Sequence, residues 1–185
     1  MENICFMNEA LRLAKEAAQE GEVPVGAVVT IGDKIIGRGR NRREKGKNAL
    51  CHAEIEAINQ ACKRLGGWRL WECELYVTLE PCPMCAGAII NSRIKKVVFG
   101  AYDKKNGACS SVVNLFNADF SFKPHYIGGF MEKECADILT YFFKKLRKKE
   151  NKNVYVIALN SSAEGFYEHI GFEKCEKIAY ISKKV

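Results

Sequence analysis

The residues with the clearest chemistry are a histidine, a glutamate and two cysteines in two short segments. His52 is followed two residues later by Glu54, and Pro81-Cys-Pro-Met-Cys85 lies further along the chain. A catalytic zinc site uses three protein ligands, usually His, Cys or a carboxylate, and leaves a fourth position for water. His52, Cys82 and Cys85 supply such a set, and Glu54 is near enough in sequence to act as a base on the bound water. The spacing predicts one catalytic Zn²⁺ per chain.

Two other interpretations of the cysteine pair are open. A lone Cys-x-x-Cys is often a redox pair or one half of a structural zinc site. The sequence contains no second Cys-x-x-Cys, and its other seven cysteines are scattered. A histidine, a nearby glutamate and a later Pro-Cys-x-x-Cys are together the signature of the zinc-dependent deaminases. With His52 and Glu54 included, the catalytic interpretation is favoured.

Size and composition indicate one globular domain with a short appendage. The chain has 185 residues, of which 48% are hydrophobic, so a substantial core can form. It has no apolar run near the roughly 18 residues of a membrane span, and its first residues do not resemble a secretory signal. Nine cysteines without such a signal are typical of a reducing compartment. We expect a cytoplasmic protein that does not associate with membranes.

The net charge of +7 is concentrated in two clusters. One covers residues 38–47 and includes Arg42, and the other covers residues 144–152 and includes Lys144 and Lys145. Basic clusters on both sides of a catalytic core favour a phosphate-bearing partner. A solvated surface is the more common explanation of such runs taken alone.

Hydrophobic periodicity predicts alternating helices and strands. Helices are expected from Ile4 until Gly21 ends the first, and then over residues 53–65, 83–91 and 135–146. Strands are expected over residues 25–31, 34–39, 75–79 and 96–100, while the glycines at 37 and 39 and the basic run mark a loop. This order predicts an α/β/α sandwich around a mixed sheet. It also places the three ligands at helix N-termini, where free N–H groups and the helix dipole favour thiolates.

Residues 1–150 resemble the bacterial tRNA-specific adenosine deaminases. The resemblance implies the cytidine-deaminase-like fold, a homodimer, and conversion of the wobble adenosine of a tRNA anticodon, chiefly in an arginine tRNA, to inosine. The segments that carry it are Glu22–Val28, Ile36–Asn41, His52–Ile55, Leu75–Ala88, Ser92–Ile94, Val97–Ala101, Glu134–Ala136 and the Phe142-Phe143 pair with its basic run.

The resemblance also implies roles for particular residues. Zinc-bound hydroxide would attack C6 of adenine, Glu54 would carry the protons, and the backbone N–H of Cys82 would help to position the attacking oxygen. Asn41 matches a base-recognising asparagine, although asparagine is also a common turn residue. Asp103 matches a position near the substrate sugar, although a loop cap is an alternative.

The remaining substrate contacts are expected from the pocket wall and from the anticodon-gripping surface. Ordinary core packing explains the apolar wall candidates equally well. Aromatic stacking and phosphate neutralisation would suit the others. The candidates are Val25, Val28, Ala53 and Leu79 for the wall, and Arg42, Phe143, Lys144 and Lys145 for the anticodon stem-loop.

Two other functions remain open from the sequence. A zinc deaminase of a free base or nucleoside, of the guanine or cytosine type, would carry the same metal motif. Such a small uncharged substrate needs neither basic cluster. A non-catalytic tRNA-binding partner subunit is the second alternative. We expect an inactive relative to have lost the general acid/base, so the presence of Glu54 disfavours it.

Residues 151–185 depart from the family pattern. Strand-like runs at 153–160 and 177–182 enclose Ser161–Phe172, and together they resemble the last strand–helix–strand piece of a GCN5-type N-acetyltransferase. A pyrophosphate-binding loop does not precede this piece, so neither acetyl transfer nor acetyl-CoA binding is predicted. We expect a deaminase domain over residues 1–150 with a short β-α-β extension of unknown role. Phe122–His125 also departs from the Asn-His pair expected in that loop.

Overall fold

In a computed structural model, which describes residues 2–150, the chain folds around a five-stranded mixed sheet. A short 3-10 turn covers Leu115–Asn117. The helices and strands are α1 (Ile4–Gln19), β1 (Gly26–Ile31), β2 (Lys34–Arg40), α2 (Arg43–Gly46), α3 (Ala53–Leu65), β3 (Cys73–Leu79), α4 (Pro83–Ser92), β4 (Lys96–Ala101), β5 (His125–Ile127) and α5 (Glu132–Glu150).

The sheet joins an antiparallel hairpin to a parallel half. Its strand order is β2-β1-β3-β4-β5. β1 pairs antiparallel with both β2 and β3, whereas β3, β4 and β5 pair in parallel. Because parallel neighbours need a crossover, α4 connects β3 to β4. The carboxyl end of β3 therefore leads directly into α4, which is where the cysteine motif lies.

The two faces of the sheet bury separate apolar clusters. Leu75 and Val77 of β3 pack with α3 and α4, whereas Tyr76 between them packs with α1 on the opposite face. β4 follows the same pattern, since Val97 packs with α3 and α4 and Val98 packs on the face covered by α1. Side chains alternate along a strand, so a continuous apolar run fills both layers. The predicted α/β/α sandwich is confirmed.

Two glycines let α3 lie directly against β2. A Cβ at Gly39 would stand 2.0 Å from the carbonyl oxygen of Ala53, and one at Gly37 would stand 2.2 Å from that of Ala57. Any larger residue would push the helix away. Both glycines lie in β2, in agreement with the strand predicted over residues 34–39, so the expected loop begins after them rather than at them. Their close packing fixes the start of α3 against the sheet.

The structure differs from the sequence-based prediction in three smaller ways. α2 forms inside the predicted basic loop, β5 was not predicted, and α5 begins at Glu132 rather than at 135. Both new elements are short, and each depends on contacts with distant parts of the chain. The expected strands at 153–160 and 177–182, and the acetyltransferase-like segment, lie outside the described residues. Among the helices of residues 2–150, none is long and apolar enough to cross a membrane.

Candidate active site

The three predicted ligands come together where two helices begin. His52 immediately precedes α3, Cys82 immediately precedes α4, and Cys85 lies in the first turn of α4. The Nδ1 atom of His52 lies 3.7 Å from the Sγ of Cys82 and 3.5 Å from the Sγ of Cys85. All three ligand atoms lie within 4.8 Å of one another.

These distances fit a tetrahedral zinc ion. With Zn–N near 2.0–2.1 Å and Zn–S near 2.3 Å, tetrahedral angles separate a nitrogen from a sulfur by about 3.6 Å. The observed separations of 3.5 and 3.7 Å bracket this value. Two thiols and one imidazole are also a donor set that zinc accepts in catalytic sites. The geometry and the donor atoms of these side chains are therefore compatible with this metal.

The thiols of Cys82 and Cys85 have very different pKa values. A hydrogen bond with the Cys85 thiol lowers the pKa of Cys82 to about 4. The same bond raises the pKa of Cys85, and burial raises it further. A hydrogen bond with Cys82 likewise raises the pKa of His52. Because ligands bind a metal in their deprotonated form, the lowered pKa of Cys82 favours metal binding, whereas the raised pKa values of Cys85 and His52 oppose it.

Glu54 is a buried carboxyl group beside these ligands. It lies in the first turn of α3 and is only 4% exposed. Burial raises the pKa of Glu54 to about 7, and the carboxyl group also interacts with the Cys85 thiol. A group with a pKa near neutrality can both accept and donate a proton at working pH. The structure thus brings together the ligand set and the predicted general acid/base.

Asn41 is held in one orientation at the edge of this site. Its backbone N–H donates to Val25, and its Oδ1 accepts from the backbone N–H of Ala53 at 3.2 Å. The side chain is 7% exposed. This hydrogen bond fixes the orientation of the Asn41 amide, and contact of its NH₂ group with a substrate stays a prediction. Ala53 is fully buried, so it contributes to the site by orienting Asn41 through its backbone N–H.

The apolar wall candidates lie on different faces of the sheet. Val25 packs in the cluster formed with α3 and α4, on the side of the ligands, whereas half-buried Leu79 contacts both this cluster and the one beneath α1. Val28 lies in the cluster beneath α1 and is fully buried. The prediction of Val28 as a pocket wall was therefore wrong, because strand alternation turns it away from the site. Half-buried Val23, which sequence analysis did not select, packs on the correct side.

A buried glutamate holds the segment that follows Asn41. Glu22 is 2% exposed, and its carboxylate accepts from the backbone N–H groups of Glu44 and Lys45. These bonds anchor the four-residue helix α2, which carries no strong helical pattern of its own. Arg42, at its start, is exposed. The basic segment is thus presented at a fixed place next to Asn41.

The first basic cluster is less cationic than its composition indicates. Arg38 pairs with Glu9 at 2.7 Å, and Arg40 pairs with Glu20 at 2.6 Å. These acids lie on or just after α1, which is far away in the sequence. Within residues 2–150, the ion pairs leave Arg42, Arg43 and Lys47 of this cluster without a carboxylate partner. Arg42 is the one of these three that directly follows Asn41 in the sequence.

Asp103 caps its own loop. Its Oδ1 accepts from the backbone N–H of Lys105 at 2.9 Å and from that of Asn106 at 3.1 Å. The alternative interpretation as a loop cap is thus what the hydrogen bonds show. A contact between Asp103 and a substrate sugar stays a prediction.

α5 carries the other predicted contact residues on its surface. Phe143 is 41% exposed and packs edge-to-face on Phe142, with their ring centroids 5.4 Å apart. Lys144 and Lys145 follow it and are exposed. An exposed ring beside two exposed lysines suits base stacking and phosphate contact. Their role in RNA binding stays a prediction.

Known proteins match the same part of the chain. Residues 1–147 match the model of the MafB19-like deaminases. The chain is 49% identical to a tRNA-specific adenosine deaminase of Bacillus subtilis over 146 residues, which are 78% of this chain and 91% of that protein. A tRNA-specific adenosine deaminase of Aquifex aeolicus is 46% identical over 145 residues, 77% of this chain and 94% of that one.

A solved structure shares the fold. It was determined in work on adenosine-to-inosine editing by tRNA deaminases at the wobble position of transfer RNA. The two structures superpose with a TM-score of 0.72 at 42% identity, covering 74% of this chain and all of the other. The chain thus contains the His52–Cys82–Cys85 ligand set and matches nearly the whole length of these relatives. The chain belongs to the family of tRNA-specific adenosine deaminases.

Proposed function

We propose that this protein converts the wobble adenosine of a tRNA anticodon, chiefly in an arginine tRNA, to inosine. The observation that carries the proposal is the preformed His52–Cys82–Cys85 site with Glu54 buried beside it. It occurs in a chain whose relatives are tRNA-specific adenosine deaminases over almost their full length. The alternatives of a free-base deaminase and of a non-catalytic subunit do not account for that similarity.

We propose Zn²⁺, one per chain, as the metal at His52, Cys82 and Cys85. When bound there, zinc would lower the pKa of a water molecule, so that hydroxide is available as a nucleophile near neutral pH. Glu54 would take up the proton released, deliver it to N1 of adenine, and then assist the departure of ammonia. The NH₂ group of Asn41 donates to an acceptor on the base, since its oxygen is held by Ala53.

The substrate that suits this surface is an unpaired RNA loop. A base in a loop can turn into a pocket at lower cost than a base in a duplex. Arg42 lies beside Asn41, and Phe143, Lys144 and Lys145 form an exposed aromatic and cationic strip on α5. Together they can read one base and hold the phosphates that flank it. Since tRNA takes part in translation in the cytoplasm, we place the protein there.

We propose that two copies of the chain associate. The resemblance to the family motivates this, and exposed Trp68, Trp71 and Phe120 supply apolar area that a second copy can bury. Light scattering at micromolar concentration should give twice the chain mass. A monomer mass with full activity would contradict the proposal.

Reversing the charges of Lys144 and Lys145 should raise KM for an anticodon stem-loop by about tenfold and flatten its salt dependence. Each lost phosphate contact removes counterion release from binding. Lys133→Glu is the matched control, because Lys133 lies on the same helix but pairs with Asp137 at 2.8 Å. An unchanged KM for the double reversal would remove this strip from the interface.

The proposed activity is tested by mapping inosine in tRNA. Total tRNA, lacking inosine, is incubated with the purified chain, and each position is then sequenced for inosine. We expect inosine at the wobble position of one or few tRNAs and nowhere else. Inosine at many positions, or at none, would contradict the proposal.

A further inference from the structure

Glu80 is a buried carboxylate that the proposed chemistry does not use. It follows β3 directly, stands two residues before the ligand Cys82, and is 2% exposed. A buried carboxylate is costly unless hydrogen bonds and charge compensate it. The donors that surround Glu80 all come from one later segment of the chain, residues 103–111.

The two oxygens of Glu80 together bind both ends of that segment. Oε1 accepts from three consecutive backbone N–H groups, those of Cys109, Ser110 and Ser111, at 3.1, 2.7 and 3.0 Å. Oε2 accepts from the backbone N–H of Asp103 at 3.1 Å and from the Ser111 hydroxyl. The Glu80 carboxylate thus binds both ends of the loop and holds them close together.

The loop also contacts the turn that carries the metal ligand. The backbone N–H of Ala108 donates to the carbonyl oxygen of Pro81 at 2.8 Å, and that of Glu80 donates to Ala101. Gly107 lies so near that a Cβ there would stand 2.4 Å from the carboxyl carbon of Glu80. The loop is therefore packed against residues 80–81 without room for a side chain between them.

Beyond these bonds the loop presents a surface on the side of the active site. Ala108 and Cys109 are buried in the cluster shared with α3 and α4. Val112 and Val113 follow and are 54% and 46% exposed. Exposed apolar side chains are suited to contact a base or sugar. The placement of Val112 and Val113 depends on the loop, and the loop depends on Glu80.

We propose that Glu80 is a positioning residue that fixes the 103–113 loop against the metal-ligand turn Pro81–Cys85, and so sets one wall of the substrate groove. The inference rests on the proposed RNA substrate. Glu80 touches neither metal nor base in this role. It acts by holding the backbone of Asp103 and of 109–111 at a fixed distance from Cys82.

Glu80→Gln tests this with little change in volume. If the amide oxygen keeps the Oε1 site and its three N–H donors, the NH₂ group must face the N–H of Asp103, and two donors then oppose each other. We expect the Asp103 end of the loop to open, seen as faster amide hydrogen exchange at 103–107. Since small misplacements of reacting groups are costly, kcat/KM on a stem-loop should fall about tenfold to a hundredfold.

Gly107→Ala opens the same contact from the loop side without removing a charge. Its added methyl group would collide with the Glu80 carboxyl group, so it should reproduce both effects of Glu80→Gln. Glu74→Gln is the control. Glu74 lies at the far end of β3, the strand that Glu80 follows, and pairs there with Lys96. It should change neither the exchange of the loop nor the kinetics. Zinc content is measured for all three variants.

The outcomes separate a positioning role from simple stability. Faster exchange at 103–107 and lower kcat/KM, with zinc content and melting temperature near those of the Glu74→Gln control, supports the proposal. Unchanged exchange, or faster exchange with kcat/KM within twofold of wild type, overturns it. Loss of zinc overturns it too, because Glu80 would then act on the metal ligands. If the wild-type protein deaminates no RNA, the proposed function is wrong. The exchange measurement still tests the role of Glu80 separately, because unchanged exchange at 103–107 in Glu80→Gln would contradict it.

Discussion

Glu54→Gln should abolish nearly all turnover while leaving the fold and the metal in place. Proton transfer by a positioned group contributes on the order of 10²–10⁴-fold, and here one carboxyl group serves several transfers in sequence. Glutamine fills the same buried space but cannot take up a proton from water. Burial holds the pKa of Glu54 near 7. The substitution therefore removes a carboxyl group that can both accept and donate a proton near neutral pH. Single-turnover rates on a stem-loop measure the effect.

The control for this substitution is Glu56→Gln. Glu56 lies in the same first turn of α3 but is half-buried rather than enclosed. It should leave the rate within about twofold, since surface changes away from special features have small effects. A Glu54→Gln protein that retains zinc and turns over within a few-fold of wild type would remove Glu54 from the mechanism.

Cys85→Ala should lose both zinc and activity. It removes one of three ligands, and the remaining imidazole and thiolate cannot complete a catalytic tetrahedral site. Metal bound only by the folded state also stabilises it. A chelator should therefore lower the melting temperature of the wild-type protein but not that of Cys85→Ala. Metal analysis and thermal unfolding with and without chelator measure these effects.

Cys73→Ala serves as the matched control for the metal ligand. Cys73 is also a buried cysteine, 1% exposed, but it lies at the opposite end of β3 from the cysteine motif. This variant should bind one zinc per chain and keep its response to the chelator. Full zinc retention by Cys85→Ala would show that other residues hold the metal.

The ligand set could be predicted from the sequence because its signals are local. His52 and Glu54 share one helix start, Cys82 and Cys85 share another, and the period of α3 marks that helix clearly. The bounds predicted for α3, 53–65, agree with the structure. Short spacing within single elements was thus enough to predict which three side chains the structure brings together.

What the sequence missed depends on contacts between distant segments. α2 exists because Glu22 binds its backbone, and the first basic cluster is partly neutralised because α1 supplies Glu9 and Glu20. No local pattern shows such partners. Glu80 was overlooked for the same reason, since its donors lie more than twenty positions later.

The wrong prediction of Val28 has a different cause. β1 is apolar on both faces, because it lies inside the sheet with helices on either side. Alternation identifies the buried face of a strand only when the other face is polar. Residues 25–29 therefore gave no indication of which side chains face the ligands, and the structure was needed to separate Val25 from Val28.

The most direct test of the proposed function is competition between substrates. A stem-loop with adenosine at the wobble position is mixed with free adenosine, guanine and cytidine, and the release of ammonia and of each product is followed with the zinc-loaded protein. We expect the stem-loop to be deaminated at that position with a kcat/KM that exceeds that of every free compound by at least about a hundredfold, since only the RNA engages Arg42 and the α5 surface. Equal or better turnover of a free base or nucleoside would contradict the account.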